Sequence, residues 1–194
     1  MKLLITGFKP FNNDVINPAQ ELLDYYHSKK NIQTLLLNVE YNNDAKKVID
    51  AINEIKPDVV LSLGLAGGRK KIMIEYYALN MHSATIPDNA NTLLNHQSIN
   101  SNSPIAYQTN IEVSELVKYI DDELFGISYH AGTFVCNDIY YQTLDYIYQN
   151  HLNIKSGFIH LPYLNEQVVD KPNIPSMSLD RMKKIIDKVI DFLC

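Results

Sequence analysis

Apolar positions along this chain fall into two alternating rhythms. Leu3–Ile5 is an unbroken apolar run that stops at Thr6-Gly7, the pattern of a short buried strand. Asn17-Pro18 then marks a helix start, with Asn at the cap and Pro at the first helical position. Leu22, Leu23 and Tyr26 give that helix an apolar stripe. The pairing repeats: Ile32–Val39 predicts a second strand, Asn43 or Asp44 can cap a second helix, and Val48, Ile49, Ile52 and Ile55 follow at helical spacing. Asp58–Leu63 predicts a third strand, closed by Gly64.

Beyond that point Ile72–Met81 has strand character, alternating and β-branched. A polar stretch rich in Asn, with Pro87 and Pro104, runs from about Ser83 to Asn110 and predicts a long surface loop. Long loops in compact domains are often functional. Val113–Phe125 predicts a helix, Ile127–His130 a short strand, Phe134–Asn150 a helix and Gly157–Leu161 a strand. Leu179–Leu193 predicts a last helix, capped by Ser178. Strands alternating with helices argue for an α/β sandwich with a mainly parallel sheet. Sites in such sheets gather at the carboxyl ends of strands, which draws attention to the loops after Ile5, Leu63, His130 and Ile159.

Composition narrows the picture. A length of 194 residues suits a single domain, 1–194, with a sizeable core. A net charge of -5 supplies no basic field to draw nucleic acid or anionic lipid. Four apolar residues at the N-terminus are too few for a signal peptide, and no apolar run approaches the ~20 residues of a membrane span. The two cysteines, Cys136 and Cys194, form neither a disulfide framework nor a zinc motif. The expectation is a cytoplasmic protein in which a free thiol stays active.

Five segments carry chemistry. In Ala131-Gly-Thr-Phe-Val-Cys136-Asn-Asp a strand ends, a Gly allows a turn and a helix begins. Cys136 is thus expected in the first helical turn, where the helix dipole favours thiolate and backbone amides can bind an oxyanion. Gly157-Phe-Ile-His160-Leu-Pro-Tyr163 places a His at a strand end, a candidate general base, with His130 as its rival. Glu75 lies in an otherwise apolar strand, where burial is costly without a partner; orienting a catalytic His would meet that need. Gly64-Leu-Ala-Gly-Gly-Arg69 is a Gly-rich turn able to approach a ligand, but it is neither a P-loop nor a full G-x-G-x-x-G. Thr6-Gly-Phe8-Lys-Pro-Phe11 offers two aromatic rings to an apolar pocket. Taken singly, each keeps a plainer alternative. Cys136 can be a small buried hydrophobe, His160 a structural histidine, Glu75 a solvent-facing edge residue and the phenylalanines ordinary core.

In order, these segments resemble the type I pyroglutamyl peptidases: Thr-Gly-Phe8-x-Pro-Phe11, Asn17-Pro18, Gly64-x-Ala-Gly-Gly-Arg69, Glu75 and Ile86-Pro-Asp-Asn89. Ala131-Gly-Thr-Phe-Val-Cys136-Asn137 and Gly-Phe-Ile-His160-x-Pro-Tyr163-x-x-Glu-Gln167 complete the set, which spans nearly the whole chain. The resemblance implies a three-layer α/β/α sandwich, phosphorylase/hydrolase-like, that often assembles as a tetramer and uses no metal or cofactor. It implies a triad of Glu75, Cys136 and His160 that cleaves N-terminal pyroglutamate through a thioester. Phe8 and Phe11 would sandwich the lactam ring, Phe134 and Val135 would add to the pocket, and Leu65 and Ile86 would belong to the substrate-binding set. The sequence also departs from the family pattern. Leu65 stands where Gln is usual, Thr85 where Arg is usual, Tyr76-Tyr77 where Arg-Val is usual, and Asn12-Asn13 where Gly-Gly is usual. Leu65 removes a polar group near the substrate, which predicts weaker activity or altered preference. Two other classes stay open: a non-catalytic relative that binds blocked N-termini, and a phosphate or nucleoside site built on Gly64–Arg69.

Overall fold

In the computed structural model, which describes residues 1–12 and 14–194, the chain begins with β1 (Leu3–Phe8), α1 (Pro18–Tyr26), β2 (Ile32–Leu37), α2 (Asn43–Ile55) and β3 (Val59–Leu65). It continues through β4 (Ile72–Glu75), β5 (Tyr77–Leu79), β6 (Ala106–Gln108), α3 (Val113–Ile120) and β7 (Phe125–Ser128). The last part comprises α4 (Val135–Gln149), β8 (Lys155–Leu161), β9 (Tyr163–Leu164), a 3-10 turn at Asn165–Gln167, β10 (Ser176–Met177) and α5 (Leu179–Leu193). Asn13, the second residue of the altered first loop, lies outside the described residues.

Six strands form the main sheet in the order β2-β1-β3-β8-β4-β7. β2, β1, β3 and β8 are mutually parallel; β4 pairs antiparallel with β8 and parallel with β7. Helices cover both faces. α1, α3 and α5 enclose one core with Leu3, Ile5, Leu61, Leu63, Ile74 and Ile159. α2 and α4 enclose the other with Leu4, Val60 and Phe158. The central strands are buried along both faces, as expected for parallel strands between helical layers. Alternate residues of a strand serve opposite cores, which is why Leu3 and Ile5 fall in one cluster and Leu4 in the other.

Local rules explain most boundaries. Asn17 Oδ1 accepts from Ala19 N at 3.0 Å and opens α1. Ser178 caps α5. Helix α2 begins differently from the expectation. Asn42 enters with φ 59° and no side-chain cap, while Asp44, inside the first turn, accepts from the backbone N–H groups of Asn38 and Glu40.

Three expected elements change. The Val113–Phe125 helix stops at Ile120, because Asp121 adopts a left-handed cap with φ 46°; Phe125 then pairs with Ile72 as the start of β7. The short strand accordingly spans Phe125–Ser128 rather than Ile127–His130. The Ile72–Met81 strand is two strands. Tyr76 N donates to Ser128 O, its carbonyl accepts from Thr109 N, and β5 leaves the main sheet to pair with β6. Asn137 of α4 holds β5 there, accepting from Leu79 N and donating to Leu79 O, both at 2.8 Å. The long polar segment thus contains β6, with Tyr107 and Thr109 buried.

Candidate active site

Four elements bring the singled-out residues together. The end of β3 supplies Gly64 and Leu65, and the turn after it Arg69; β4 supplies Glu75; the start of α4 supplies Cys136; and β8 supplies His160. Gly64 is paired with His160 across β3 and β8 and lies directly under the thiol. A Cβ on Gly64 would sit 3.0 Å from Cys136 Sγ and 2.8 Å from Phe158 Cζ, so any larger residue there would displace the thiol or the ring.

The strand partner of Gly64, His160, begins a buried polar chain. His160 is 4% exposed, and its Nδ1–H donates to Glu75 Oε1 at 2.6 Å. Arg69 donates to the same oxygen at 2.8 Å. Glu75 is fully buried, and among the described residues its Oε2 has no hydrogen-bond partner. Tyr140 Oη donates to the Glu75 carbonyl at 3.0 Å and ties this strand end to α4. With Nδ1 held by the carboxylate, the tautomer is set and the lone pair of Nε2 is left available.

Cys136 is the second residue of α4, half-buried, and follows Phe134, whose side chain gives the helix start no cap. The sequence reading expected the helix dipole to lower the thiol pKa. Burial instead pushes it up to about 12, with the negative charge of Glu75 adding to the rise; Arg69 and the cysteine's own backbone amide pull it only partly back. Burial also lowers the His160 pKa, against the opposing pull of the Glu75 hydrogen bond. Both shifts favour the uncharged forms, thiol at Cys136 and imidazole at His160.

In front of the thiol is a cavity of about 120 Å³ lined by Phe8, Phe11, Asp14, Asn17, Val39, Leu65, Phe134 and Cys136. It is small beside the roughly 300–1,000 Å³ of drug-sized pockets and suits one compact ring. Phe11 packs against Phe134 with ring centroids 5.3 Å apart. Leu65, Phe8, Phe11 and Phe134, all singled out in the sequence, share this wall.

Other expected site residues lie elsewhere. Val135 is fully buried in the core between α4 and the sheet, because its position on the helix turns it away from the cavity. Ile86 is 41% exposed and lines a separate open cleft with Ser83, Thr85, Asn95 and Thr133, sharing only Phe134 with the ring-sized cavity. His130 is exposed, its Nδ1 accepting from Gly132 N. The phosphate reading loses its cation, since Arg69 is committed to Glu75.

Asp14, Asn17 and Val39 were not foreseen as wall residues. Asn17 was legible as a cap, but not that its Nδ2 also donates to Lys9 O and ties down the loop carrying Phe11. Val39 holds φ 67°, a strained value for a β-branched residue, and nothing in its sequence context marks it. Among the described residues no group of three or more His, Cys, Asp or Glu could hold a metal ion, and no helix is long and apolar enough to cross a membrane.

An α/β fold with a thiol at a helix start, a His–carboxylate pair behind it and a small apolar cavity in front is the layout of a cysteine-type hydrolase. Comparison with known proteins gives the family. A sequence model of the pyroglutamyl peptidase family matches residues 1–192. Pyrrolidone-carboxylate peptidase 1 of Caldanaerobacter subterraneus subsp. tengcongensis is 43% identical, covering 98% of this chain and 96% of its own. The crystal structure of pyroglutamyl peptidase I from Bacillus amyloliquefaciens superposes with a TM-score of 0.90 at 34% identity, covering 96% of this chain and 93% of that one. Pyrrolidone carboxyl peptidase from Thermococcus litoralis gives 0.92 at 34% identity, with 98% and 91% covered. The chain belongs to the pyroglutamyl peptidase family.

Proposed function

We propose that this protein is a cysteine omega-peptidase that hydrolyses the bond after an N-terminal pyroglutamyl residue, with Cys136 as nucleophile, His160 as general base and acid, and Glu75 orienting the imidazole. The observation that carries this reading is a thiol that lines the ring-sized aromatic cavity and sits over Gly64, whose strand partner is His160, held in turn by Glu75. Family membership supplies the substrate class.

The lactam ring enters between Phe8, Phe11 and Phe134, which brings its exocyclic carbonyl over Cys136. Nε2 of His160 takes the thiol proton as sulfur attacks that carbon, so a full thiolate need not accumulate in the resting enzyme. Uncapped amides at the start of α4 stabilise the oxyanion. As the intermediate collapses, the imidazolium gives its proton to the leaving amine and a thioester remains. Water, deprotonated by His160, then attacks the thioester, releases pyroglutamate and restores the thiol. Glu75 stabilises the imidazolium in both half-reactions.

Leu65 supports a second reading, a relative that binds blocked N-termini and turns over slowly, because it faces the cavity with an apolar side chain. Both are tested by fluorophore release from pyroglutamyl-aminomethylcoumarin under reducing conditions, beside Cys136→Ser. Turnover that disappears in the variant is expected. A folded wild type that binds a pyroglutamyl peptide without releasing product would establish the second reading instead.

A further inference from the structure

Nothing in the triad chemistry requires Arg69, yet its guanidinium and His160 Nδ1–H meet at one oxygen of one buried carboxylate. That geometry is unusual in its imbalance. Oε1 carries two charge-capable donors, while Oε2, equally buried, has no partner among the described residues. A fully buried carboxylate is stable as an anion only with a compensating cation. Without one, Glu75 would acquire that cation by turning His160 into imidazolium, and a protonated imidazole cannot accept the thiol proton.

We propose that Arg69 is a positioning residue for the reaction: by sharing Oε1 with His160 it supplies the permanent counter-charge to Glu75, so that the imidazole rests neutral and takes its proton only from Cys136. The inference rests on the triad reading above. The resting site then holds Glu75⁻ and Arg69⁺ beside a neutral thiol and imidazole, and thiolate formation is an internal proton transfer that leaves its net charge unchanged.

The surroundings agree. Among the described residues, the charged and titratable groups coupled to the pair are Cys136 and Tyr140 from α4 and Arg69 from the turn, and β7 sets Ser128 beside Glu75. Lys70 and Lys71 follow Arg69 on the same loop and are exposed, so solvent screens them. Arg69 itself is 30% exposed at its side chain, so it can be replaced without opening a core cavity. Its positive charge lowers the pKa of both His160 and Cys136, the direction the proposal requires.

The test is the His160 imidazole titration followed by NMR, assigned by its absence from His160→Asn, in wild type, Arg69→Gln and Arg69→Lys. Arg69→Gln is expected to raise the midpoint by about one unit, tenfold in proton affinity, while Arg69→Lys keeps it near wild type. The acid limb of kcat/KM should move the same way, with kcat falling and KM changing little. An unmoved midpoint in Arg69→Gln, or an equal shift in both variants, overturns the proposal. Should Arg69→Gln not fold, Arg69→Lys decides: a shift of one unit with the charge retained overturns it, and an unmoved midpoint supports it. The titration needs no turnover, so a wild type inactive on pyroglutamyl substrates would sink the triad reading and leave this measurement standing.

Discussion

Two buried histidine–carboxylate pairs flank α4, and they look alike at first sight. His160 meets Glu75 at 2.6 Å, and His82 meets Asp138 at 2.7 Å. Each histidine is 4% exposed and each carboxylate fully buried. Their surroundings differ. Both Asp138 oxygens are used: Oδ1 accepts from His82 and from Gln142 at 2.6 Å, and Oδ2 from Asn42 N at 2.8 Å. The His82 ring is fixed edge-on to Tyr41, with centroids 4.8 Å apart. That cluster joins the start of α2, the loop at His82 and the first turns of α4, and among the described residues neither His82 nor Asp138 lines the cavity that Cys136 lines. Among the described residues Glu75 keeps an oxygen unpaired; it shares the other with an arginine and holds a histidine on the same face of the sheet as α4. A short His–carboxylate contact is therefore no mark of catalysis. The cavity, the neighbouring thiol and the incomplete satisfaction of the carboxylate distinguish the two.

Substitution at matched positions should separate the roles most strongly. His160→Asn is expected to lower kcat/KM about 10³-fold or more, roughly 4 kcal/mol of transition-state stabilisation, while moving the melting temperature by only a few degrees. Asp138→Ala strands three donors, of which the His82 ring is buried. It should cost about 3 kcal/mol of stability, a fall of roughly 6–12 °C for a chain of this size, with kcat per folded molecule changed less than tenfold. Thermal denaturation and steady-state kinetics on both variants check this; equal activity losses at the two sites would erase the distinction.

Much of the architecture could be read directly from apolar rhythm, because buried parallel strands and amphipathic helices have different periods. Cys136, His160 and Glu75 were legible by type and by motif order. What escaped depends on contacts between distant segments. The break at Tyr76 arises because Asn137, sixty residues on, offers β5 an alternative partner. The early end of α3 rests on one left-handed aspartate. Val135 and Cys136 are neighbours in sequence, yet helical geometry sends one to the core and the other to the cavity. The two opposing influences on the thiol differ in legibility for a related reason. The helix start is local and visible in sequence, whereas the burial that outweighs it is a product of packing.

The cavity wall offers a smaller lever. Leu65 presents only carbon to a space that would hold a lactam with an N–H and a C=O. Leu65→Gln restores a donor and an acceptor at nearly constant volume and is expected to raise kcat/KM by about tenfold, below the roughly 100-fold or more that a donor aimed at a developing charge can contribute. A variant no faster than wild type on the coumarin substrate would mean that the backbone already satisfies the ring here, and that Leu65 sets preference rather than rate.

The smallest effect concerns pH. Burial holds His160 below its ordinary value of about 6.5. The imidazole is therefore neutral and able to accept a proton at and above neutrality, and activity should be lost only as pH falls through that depressed value, so the acid limb of kcat/KM lies below 6.5. On the alkaline side burial places the thiol at about 12, so free thiolate is scarce across the working range. Iodoacetamide should then alkylate Cys136 slowly near neutrality and faster as pH rises past 9. Rapid alkylation that is flat between pH 6 and 9 would mean that the α4 dipole prevails over desolvation and that a thiolate–imidazolium pair exists before substrate arrives. The buried His160–Glu75 pair would then resemble an ion pair at rest.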